Sequence, residues 1–229
     1  MRALRALLDH TPPYGIRELA ARTETSAATL SRVIDPLERE GLATRDERRA
    51  VADLDWAGTI RRWTQDYDVL INNRSASYLQ PRGPPALVDG LRDIGARYVL
   101  TGSLAAWMLA PIAPARLAMV YVDRMRQATD ELGLRPVDTG ANVIALEPYD
   151  DVVFERTVER DGLTLVNPTQ LAADLLTGPG RAPSEGEELL FWMKDPHRCL
   201  ANLTSRTSPP GARCWTASAH SRHTSTHPS

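Results

Sequence analysis

The side chains best suited to chemistry in this sequence are small polar groups and arginines close together near the N-terminus. Hydroxyl and guanidinium groups hydrogen bond to the edges of base pairs, and a helix that carries them fits the major groove of B-form DNA. The candidates for base contacts, all at the start of one predicted helix, are Thr25, Ser26, Ala27, Thr29 and Arg32. Arginines that lie near such a helix can contact the phosphate oxygens of the DNA backbone. The candidates for these contacts are Arg45, Arg48 and Arg49.

The elements that position these residues follow from hydrophobic spacing. Two short helices precede a polar connection over residues 23–26, and Ser26 or Thr25 can cap the third helix. In that helix one apolar face recurs at helical spacing, and Gly41 ends it; the face consists of Leu30, Val33, Ile34 and Leu37. Residues 42–45 and 50–53 then predict a small hairpin. Pro36 removes a backbone donor inside the third helix, which predicts a kink or a break there.

The stretch IRELAARTETSAATLSRVIDPLEREGLATRDE resembles the winged helix-turn-helix of IclR-like and MarR-like bacterial transcriptional regulators. The resemblance covers residues 2–55 and implies sequence-specific binding to double-stranded DNA through the third helix. Residues 1–55 hold nine arginines and ten acidic residues, so weak non-specific binding is expected. The alternative is a three-helix module that binds another protein.

An aromatic stripe follows this unit. Asp55 can cap a helix whose large side chains recur on one side, namely Trp56, Ile60, Trp63 and Tyr67. We expect this stripe to pack on the winged helix or to form a homodimer with a second copy. The stretches 72–75 (NNRS) and 81–85 (PRGPP) predict a linker after this helix. The predicted organisation is a winged helix at 1–55, a helix and linker at 56–83, a second domain at 84–195 and a disordered tail at 196–229.

The second domain alternates between strand and helix patterns. Predicted strands lie at 97–101, 117–122, 142–146, 152–160 and 163–166. The sequence therefore predicts an α+β fold: a winged helix-turn-helix followed by a mixed sheet with helices on one face. The order of elements here resembles the nucleotidyltransferase fold of the polymerase-β type: a strand is followed by Gly102-Ser103, a helix and a buried strand. The run NPTQLAADLLTGPGR resembles the antitoxins of abortive-infection (type IV) toxin–antitoxin systems, which implies autoregulation and a cognate toxin as partner.

Catalysis is not expected in this domain. Nucleotidyl transfer needs paired carboxylates for two Mg²⁺ ions on the strand after the Gly-Ser pair, and that strand reads LAMVYV with only Asp123 at its end. We therefore expect no catalytic residues, no metal and no cofactor. An active nucleotidyltransferase and a ligand-sensing cleft beside Gly102-Ser103 remain alternatives.

Composition excludes several other classes. The formal net charge is -2, and no apolar run approaches the length of a membrane span. Only two cysteines occur, which excludes a disulfide scaffold, and the N-terminus lacks a signal-peptide pattern, so a cytoplasmic protein is expected. Residues 196–229 contain no acidic residue and show no apolar period, and they are typical of a solvated tail or of out-of-frame translation. Zinc binding by His220, His223 and His227 is the less favoured alternative.

Overall fold

The structure is a computed structural model that describes residues 1–110 and 115–194. The N-terminal part comprises α1 (Arg2–Leu8), α2 (Ile16–Arg22), α3 (Ala27–Arg39), β1 (Ala43–Arg45) and β2 (Val51–Leu54). The two strands pair antiparallel, and Tyr14 forms an additional bridge to Val51. This order of elements confirms the predicted helix-turn-helix with its hairpin, which we call the wing. The tail predicted at 196–229 lies outside the described residues.

The rest of the described chain contains six further α-helices and one mixed sheet of seven strands. Its helices are α4 (Trp56–Trp63), α5 (Pro84–Asp93), α6 (Gly102–Leu109), α7 (Met125–Glu131), α8 (Pro168–Leu176) and α9 (Ala182–Met193). Its strands are β3 (Arg74–Leu79), β4 (Tyr98–Thr101), β5 (Ala118–Val122), β6 (Arg135–Pro136), β7 (Val143–Glu147), β8 (Val158–Arg160) and β9 (Leu163–Leu165). No helix within the described ranges is long and apolar enough to cross a bilayer.

Helix α3 is continuous from Ala27 to Arg39 although Pro36 lies inside it. Ser26 caps the helix, because its hydroxyl accepts the backbone N–H of Thr29 at 3.0 Å. The predicted break at Pro36 is therefore wrong. Proline removes only one backbone hydrogen bond, while the side chains before and after it are buried in the same core, namely Leu30, Ile34 and Leu37.

The C-terminal end of α3 is a complete Schellman motif. Gly41 has a φ of 73° and donates its N–H to the Glu38 carbonyl at 3.1 Å. The N–H of Leu42 reaches back to the Leu37 carbonyl at 2.8 Å. This pair of bonds satisfies carbonyls that the helix leaves free, and it turns the chain into β1.

The aromatic stripe on and after α4 is buried inside the chain. Ile60, Trp63 and Tyr67 are each at most 5% exposed, and α4 packs against α1 and α8. Trp56 is half-buried and packs against the same core. The predicted homodimer surface is therefore wrong, because these side chains already join the N-terminal part to the sheet. The other expectation, that the stripe packs on the winged helix, accounts for the contact of α4 with α1 but not for its contact with α8.

Residues 74–79 form a strand where a linker is predicted. Strand β3 pairs antiparallel with β7 on one side and with β6 on the other. Its side chains are mostly exposed or half-buried, so the sequence shows no apolar alternation. The strand is held by backbone hydrogen bonds to its two neighbours, which leave no mark on the pattern of side chains.

The sheet has seven strands within the described residues, in the order β6–β3–β7–β5–β4–β9–β8. The pairs β5–β7 and β4–β9 are parallel and the others are antiparallel. This arrangement confirms the predicted mixed sheet. The predicted hairpin at 152–166 is present but shorter, because Asp151–Phe154 forms a 3₁₀ helix before β8.

Both faces of the central strands are covered, which does not agree with the prediction of a sheet that is covered on one face. Every residue of β5 is buried, and neighbouring β4 and β7 are nearly as buried. Helices α6 and α8 lie on the face that carries Thr101 and Tyr121. Helices α5 and α7 contact β9 and β7 and approach each other at Gly90 and Leu132. They are the helices that can cover the opposite face.

Buried polar contacts fix α1 to α8. The Arg5 side chain is 1% exposed and forms an ion pair with Asp9 at 2.8 Å. Its Nη1 also donates to Oε1 of Gln170 at 3.2 Å. Asp9 accepts a 2.6 Å hydrogen bond from the Thr169 hydroxyl. The N-terminal part and the sheet therefore share one core rather than being joined by a free linker.

Candidate nucleic-acid interface

A concave surface lies between α2, α3 and the wing; we call it the groove face. It encloses about 690 Å³. Helix α3 contributes Ala27, Ala28, Ser31 and Asp35. The wing contributes Arg45, Arg48, Arg49 and Ala50, and residues 15–18 form the third side. In a helix-turn-helix protein the second helix of the motif enters the major groove, and this surface presents that helix beside an arginine-bearing wing.

The predicted base-contacting residues before and within the first turn of α3 are largely engaged with each other. The hydroxyls of Ser26 and Thr29 lie 2.7 Å apart, and Nη2 of Arg32 lies 3.4 Å from the Thr29 hydroxyl. The Thr25 hydroxyl donates to the carbonyl of Thr23 at 3.1 Å. Of the predicted set on or just before α3, only Ala27 lines the groove face. Arg32 is exposed but does not line the groove face.

The predicted set of base-contacting residues left out three of the four α3 residues that line the groove face. Ala28 and Asp35 are exposed and Ser31 is half-buried. All three lie opposite the buried face of the helix. The same helical spacing that identifies the buried leucines identifies these positions, and that signal was sufficient to find them.

Arg45 does not face solvent, contrary to its prediction as a phosphate contact. Its side chain is 4% exposed and forms ion pairs with Asp35 at 2.7 Å and with Glu38 at 2.9 Å. The carboxylates compensate its charge, and burial removes the guanidinium from the surface. Arg45 therefore ties β1 to α3. Sequence spacing could not reveal this because the two acids lie on a different element.

Arg48 and Arg49 stand at the exposed tip of the wing. Asp46 holds the turn, since one carboxylate oxygen accepts the backbone N–H groups of Arg48 and Ala50, each at 2.9 Å. Arg49 has a φ of 63°, its side chain is 71% exposed, and its guanidinium lies 3.9 Å from Glu38. Within the described residues Arg48 makes no ion pair. These two arginines are the wing cations that a phosphate can reach.

Residues 1–47 match the family model of the IclR helix-turn-helix domain. This match, together with the geometry above, supports an N-terminal helix-turn-helix DNA-binding domain of the kind found in transcriptional regulators. The matched segment contains α1, α2, α3 and β1 and ends in the turn of the wing. No curated protein and no solved structure matches the chain.

The Gly102-Ser103 pair lies outside the IclR helix-turn-helix domain, at the point where β4 meets α6. Gly102 has a φ of 66°, and a Cβ there would lie 2.9 Å from the sulfur of Met119. Glycine is required at this position because both the backbone conformation and the space exclude a side chain. The close approach of β4 and β5 thus accounts for this half of the motif.

The residues around this turn do not fit a site for two Mg²⁺ ions. Strand β5 carries no carboxylate, and Asp123 beyond its end is exposed and lies 3.6 Å from Arg124. Among the described residues no three acidic, histidine or cysteine side chains form a group that could hold a metal.

A buried carboxylate, Asp174 on α8, lies beneath this turn and was missed from the sequence. It accepts hydrogen bonds from the hydroxyls of Tyr67 (2.7 Å), Tyr121 (3.1 Å) and Thr101 (2.6 Å) and from the amide of Gln170 (2.7 Å). Burial raises the pKa of Asp174 to about 6, and these hydrogen bonds oppose the shift. Because the carboxylate is fully enclosed, it joins elements of the core and offers no open site.

Proposed function

We propose that this protein is a sequence-specific DNA-binding transcriptional regulator. The observation that carries the proposal is the groove face, where an exposed face of α3 and two wing arginines flank one concave surface. The match of residues 1–47 to the IclR helix-turn-helix domain supports the same conclusion.

In this proposal α3 reads bases and the wing holds the backbone. Arg32 is the exposed arginine on α3 closest to the capped end, and a bidentate contact to guanine suits its guanidinium. Ser31 and Asp35 lie on the same exposed side and add a hydroxyl and a carboxylate. Arg48 and Arg49 contact phosphates. Arg45 supports this arrangement by fixing the angle between wing and helix.

Fluorescence anisotropy with the full chain tests the proposal. The labelled duplexes are the DNA upstream of the protein's own gene and a scrambled duplex of equal length and composition, across a salt series. We expect tighter binding to the upstream DNA. Equal affinity for both duplexes at every salt concentration, or no binding by a folded protein, contradicts the proposal.

A variant pair tests base reading by Arg32. Arg32→Ala should cost about 1–3 kcal/mol on the preferred duplex if it contacts a guanine, and much less on the scrambled one. Arg126→Ala is the matched control, because Arg126 is exposed on α7, outside the helix-turn-helix. Equal losses on both duplexes would assign Arg32 to the backbone instead.

A second candidate function, an antitoxin that binds a cognate nucleotidyltransferase toxin, is favoured by exposed aromatic side chains on the second part of the chain. Trp107 on α6 is 49% exposed and Phe191 on α9 is 73% exposed, and these two helices contact each other. The strand–Gly102-Ser103–helix–strand order supports a nucleotidyltransferase-like fold for this part. In this candidate the domain binds its partner and performs no catalysis.

The second candidate is tested with a defined partner. If a neighbouring gene encodes an intact Gly-Ser and Asp-x-Asp pattern, its product should co-purify with this chain, and Phe191→Ala should weaken the complex. Mg²⁺-dependent transfer of label from a nucleoside triphosphate by this chain alone would contradict the non-catalytic role. A folded chain that leaves the neighbouring toxin fully active would remove the candidate.

A further inference from the structure

A second, smaller cleft lies between α1, the end of α2 and residues 152–156. It encloses about 140 Å³, several times the roughly 30 Å³ that one water molecule occupies in the liquid. His10 lies in its wall. The charged groups that face His10 there are Arg2, Arg5, Asp9, Arg22, Glu155 and Arg156. Four arginines and two carboxylates line the cleft. Two further carboxylates pair with these arginines from outside it, Asp150 with Arg2 at 3.5 Å and Glu18 with Arg22 at 3.6 Å.

Three of these arginines have carboxylate partners, and Arg156 has none among the described residues. Arg5 is paired with Asp9 at 2.8 Å, and Arg2 is paired with Glu155. Arg22 pairs with Glu18 at 3.6 Å, at the surface, where both side chains are more than half exposed. Arg156 forms no ion pair with any described residue. Arg156 therefore carries the charge that no described carboxylate compensates, and the ion pair of Arg22 is open to solvent.

His10 connects to Arg156 through a defined tautomer. Its Nδ1 lies 2.9 Å from the carbonyl oxygen of Ala6, which can only accept, so Nδ1 carries the proton. Its Nε2 then accepts from Nη1 of Arg156 at 3.4 Å. Burial lowers the pKa of His10, and so do the positive charges of Arg156 and Arg22. The hydrogen bond to Ala6 and the charge of Asp9 oppose this shift. Protonated His10 would repel Arg156, and an anion that contacts both groups would offset this repulsion.

The backbone fixes Arg156 in this position. Its φ is 53°, a conformation uncommon outside glycine. The Asn167 amide donates to the carbonyl of Arg156 at 3.3 Å, and Nη2 of Arg5 donates to the carbonyl of Glu155 at 3.3 Å. Such conformations persist where surrounding contacts impose them. The backbone of Arg156 is therefore fixed at the edge of the cleft before any ligand arrives.

We propose that this cleft binds a small free oxyanion, of the sulfate, phosphate or carboxylate class, between Arg156, Arg22 and protonated His10. The anion supplies the negative charge that Arg156 lacks, and it accepts a hydrogen bond from the Nε2–H of protonated His10. Because Arg22 is the last residue of α2, the anion joins the helix-turn-helix to the segment before β8. The site stands independently of DNA binding.

A titration of the full chain with sodium sulfate tests the site, with chloride adjusted to hold ionic strength constant. The readout is the imidazole resonances of His10 in nuclear magnetic resonance spectra, assigned by their loss in His10→Gln. We expect a saturable shift, with affinity at least tenfold higher at pH 5.5 than at pH 8, because sulfate keeps its charge over this range. No saturable shift, or equal affinity at both pH values, overturns the proposal.

Three variants control the experiment. Arg156→Gln should weaken sulfate binding at least tenfold, while Arg126→Gln on α7 should leave it unchanged. If circular dichroism shows that Arg156→Gln is unfolded, Arg22→Gln serves in its place, since Arg22 is exposed. Sulfate affinity equal to that of the wild type in a folded Arg156→Gln, or in Arg22→Gln, overturns the proposal. These measurements contain no DNA, so their failure is distinct from failure of the proposed regulator function.

Discussion

The wing arginines differ in what the structure lets them do, and salt dependence separates them. Arg48 is exposed and unpaired within the described residues, whereas the Arg45 side chain is 4% exposed and bound to Asp35 and Glu38. Each neutralised phosphate contributes about 0.9 to the slope of log affinity against log salt concentration. We expect Arg48→Gln to reduce this slope by about one phosphate contact and Arg45→Gln to leave it unchanged.

The magnitude follows from that slope. The loss of one phosphate contact lowers the slope by about 0.9. Between about 50 and 200 mM salt, this difference in slope changes the ratio of wild-type to variant affinity by about 3.5-fold. For Arg48→Gln the ratio should therefore fall by about that factor over this range. Arg45→Gln should weaken binding by a constant factor at all salt concentrations, because it loosens the wing without removing a phosphate contact.

The assay is fluorescence anisotropy of each variant on one duplex at five or more salt concentrations, with urea unfolding of the free protein in parallel. Arg45→Gln should lower the free energy of unfolding, because it leaves two carboxylates without their shared partner. Arg48→Gln should not. An equal reduction of the salt slope by both variants would refute the distinction between the paired and the unpaired arginine.

Three further predictions concern stability and are each checked by urea unfolding. Gly41→Ala should lower the free energy of unfolding by about 1–2 kcal/mol, since Gly41 has a φ of 73° and open space around it. The control is Gly95→Ala, at a position where φ is not positive. Equal losses in the two variants would refute the conformational explanation. Asp174 has a folded pKa of about 6, above its unfolded value. Wild-type stability should therefore fall relative to Asp174→Asn as pH rises, by roughly 2 kcal/mol between about pH 4 and 7; a pH-independent difference would argue against it. Arg5→Met should lower the free energy of unfolding by about 3–5 kcal/mol, because it leaves the buried Asp9 carboxylate without its partner. Adding Asp9→Leu to Arg5→Met should recover most of that loss. A double variant no more stable than the single one would show that packing, and not charge, causes the loss.

The helix-turn-helix was predictable because its signals are local. Helical spacing identified the buried face of α3, Ser26 identified its cap, and Gly41 identified its end. Each depends on residues within a few positions of one another. The hairpin of the wing was predictable for the same reason.

The candidate site was predicted only in part, since exposure depends on residues from other elements. Arg45 was expected at a phosphate but is buried against two acids of α3. The set expected at the start of α3 was centred on the cap, whereas the groove face is lined by Ala28, Ser31 and Asp35. Arg48 and Arg49 stay at the wing tip, as expected for phosphate contacts.

The sequence by itself determined the local order of this protein: a helix-turn-helix with a wing, then a mixed sheet with its helices. Hydrophobic spacing, caps and turn residues are sufficient for that, because they act over a few residues. Only the tertiary structure decided which surfaces remain free. It buried Trp63 and Tyr67 inside the chain, made a sheet strand of 74–79, covered both sheet faces, and enclosed Asp174. Those outcomes depend on contacts between segments that are distant in the sequence, and the energy of such a contact cannot be derived from either segment alone.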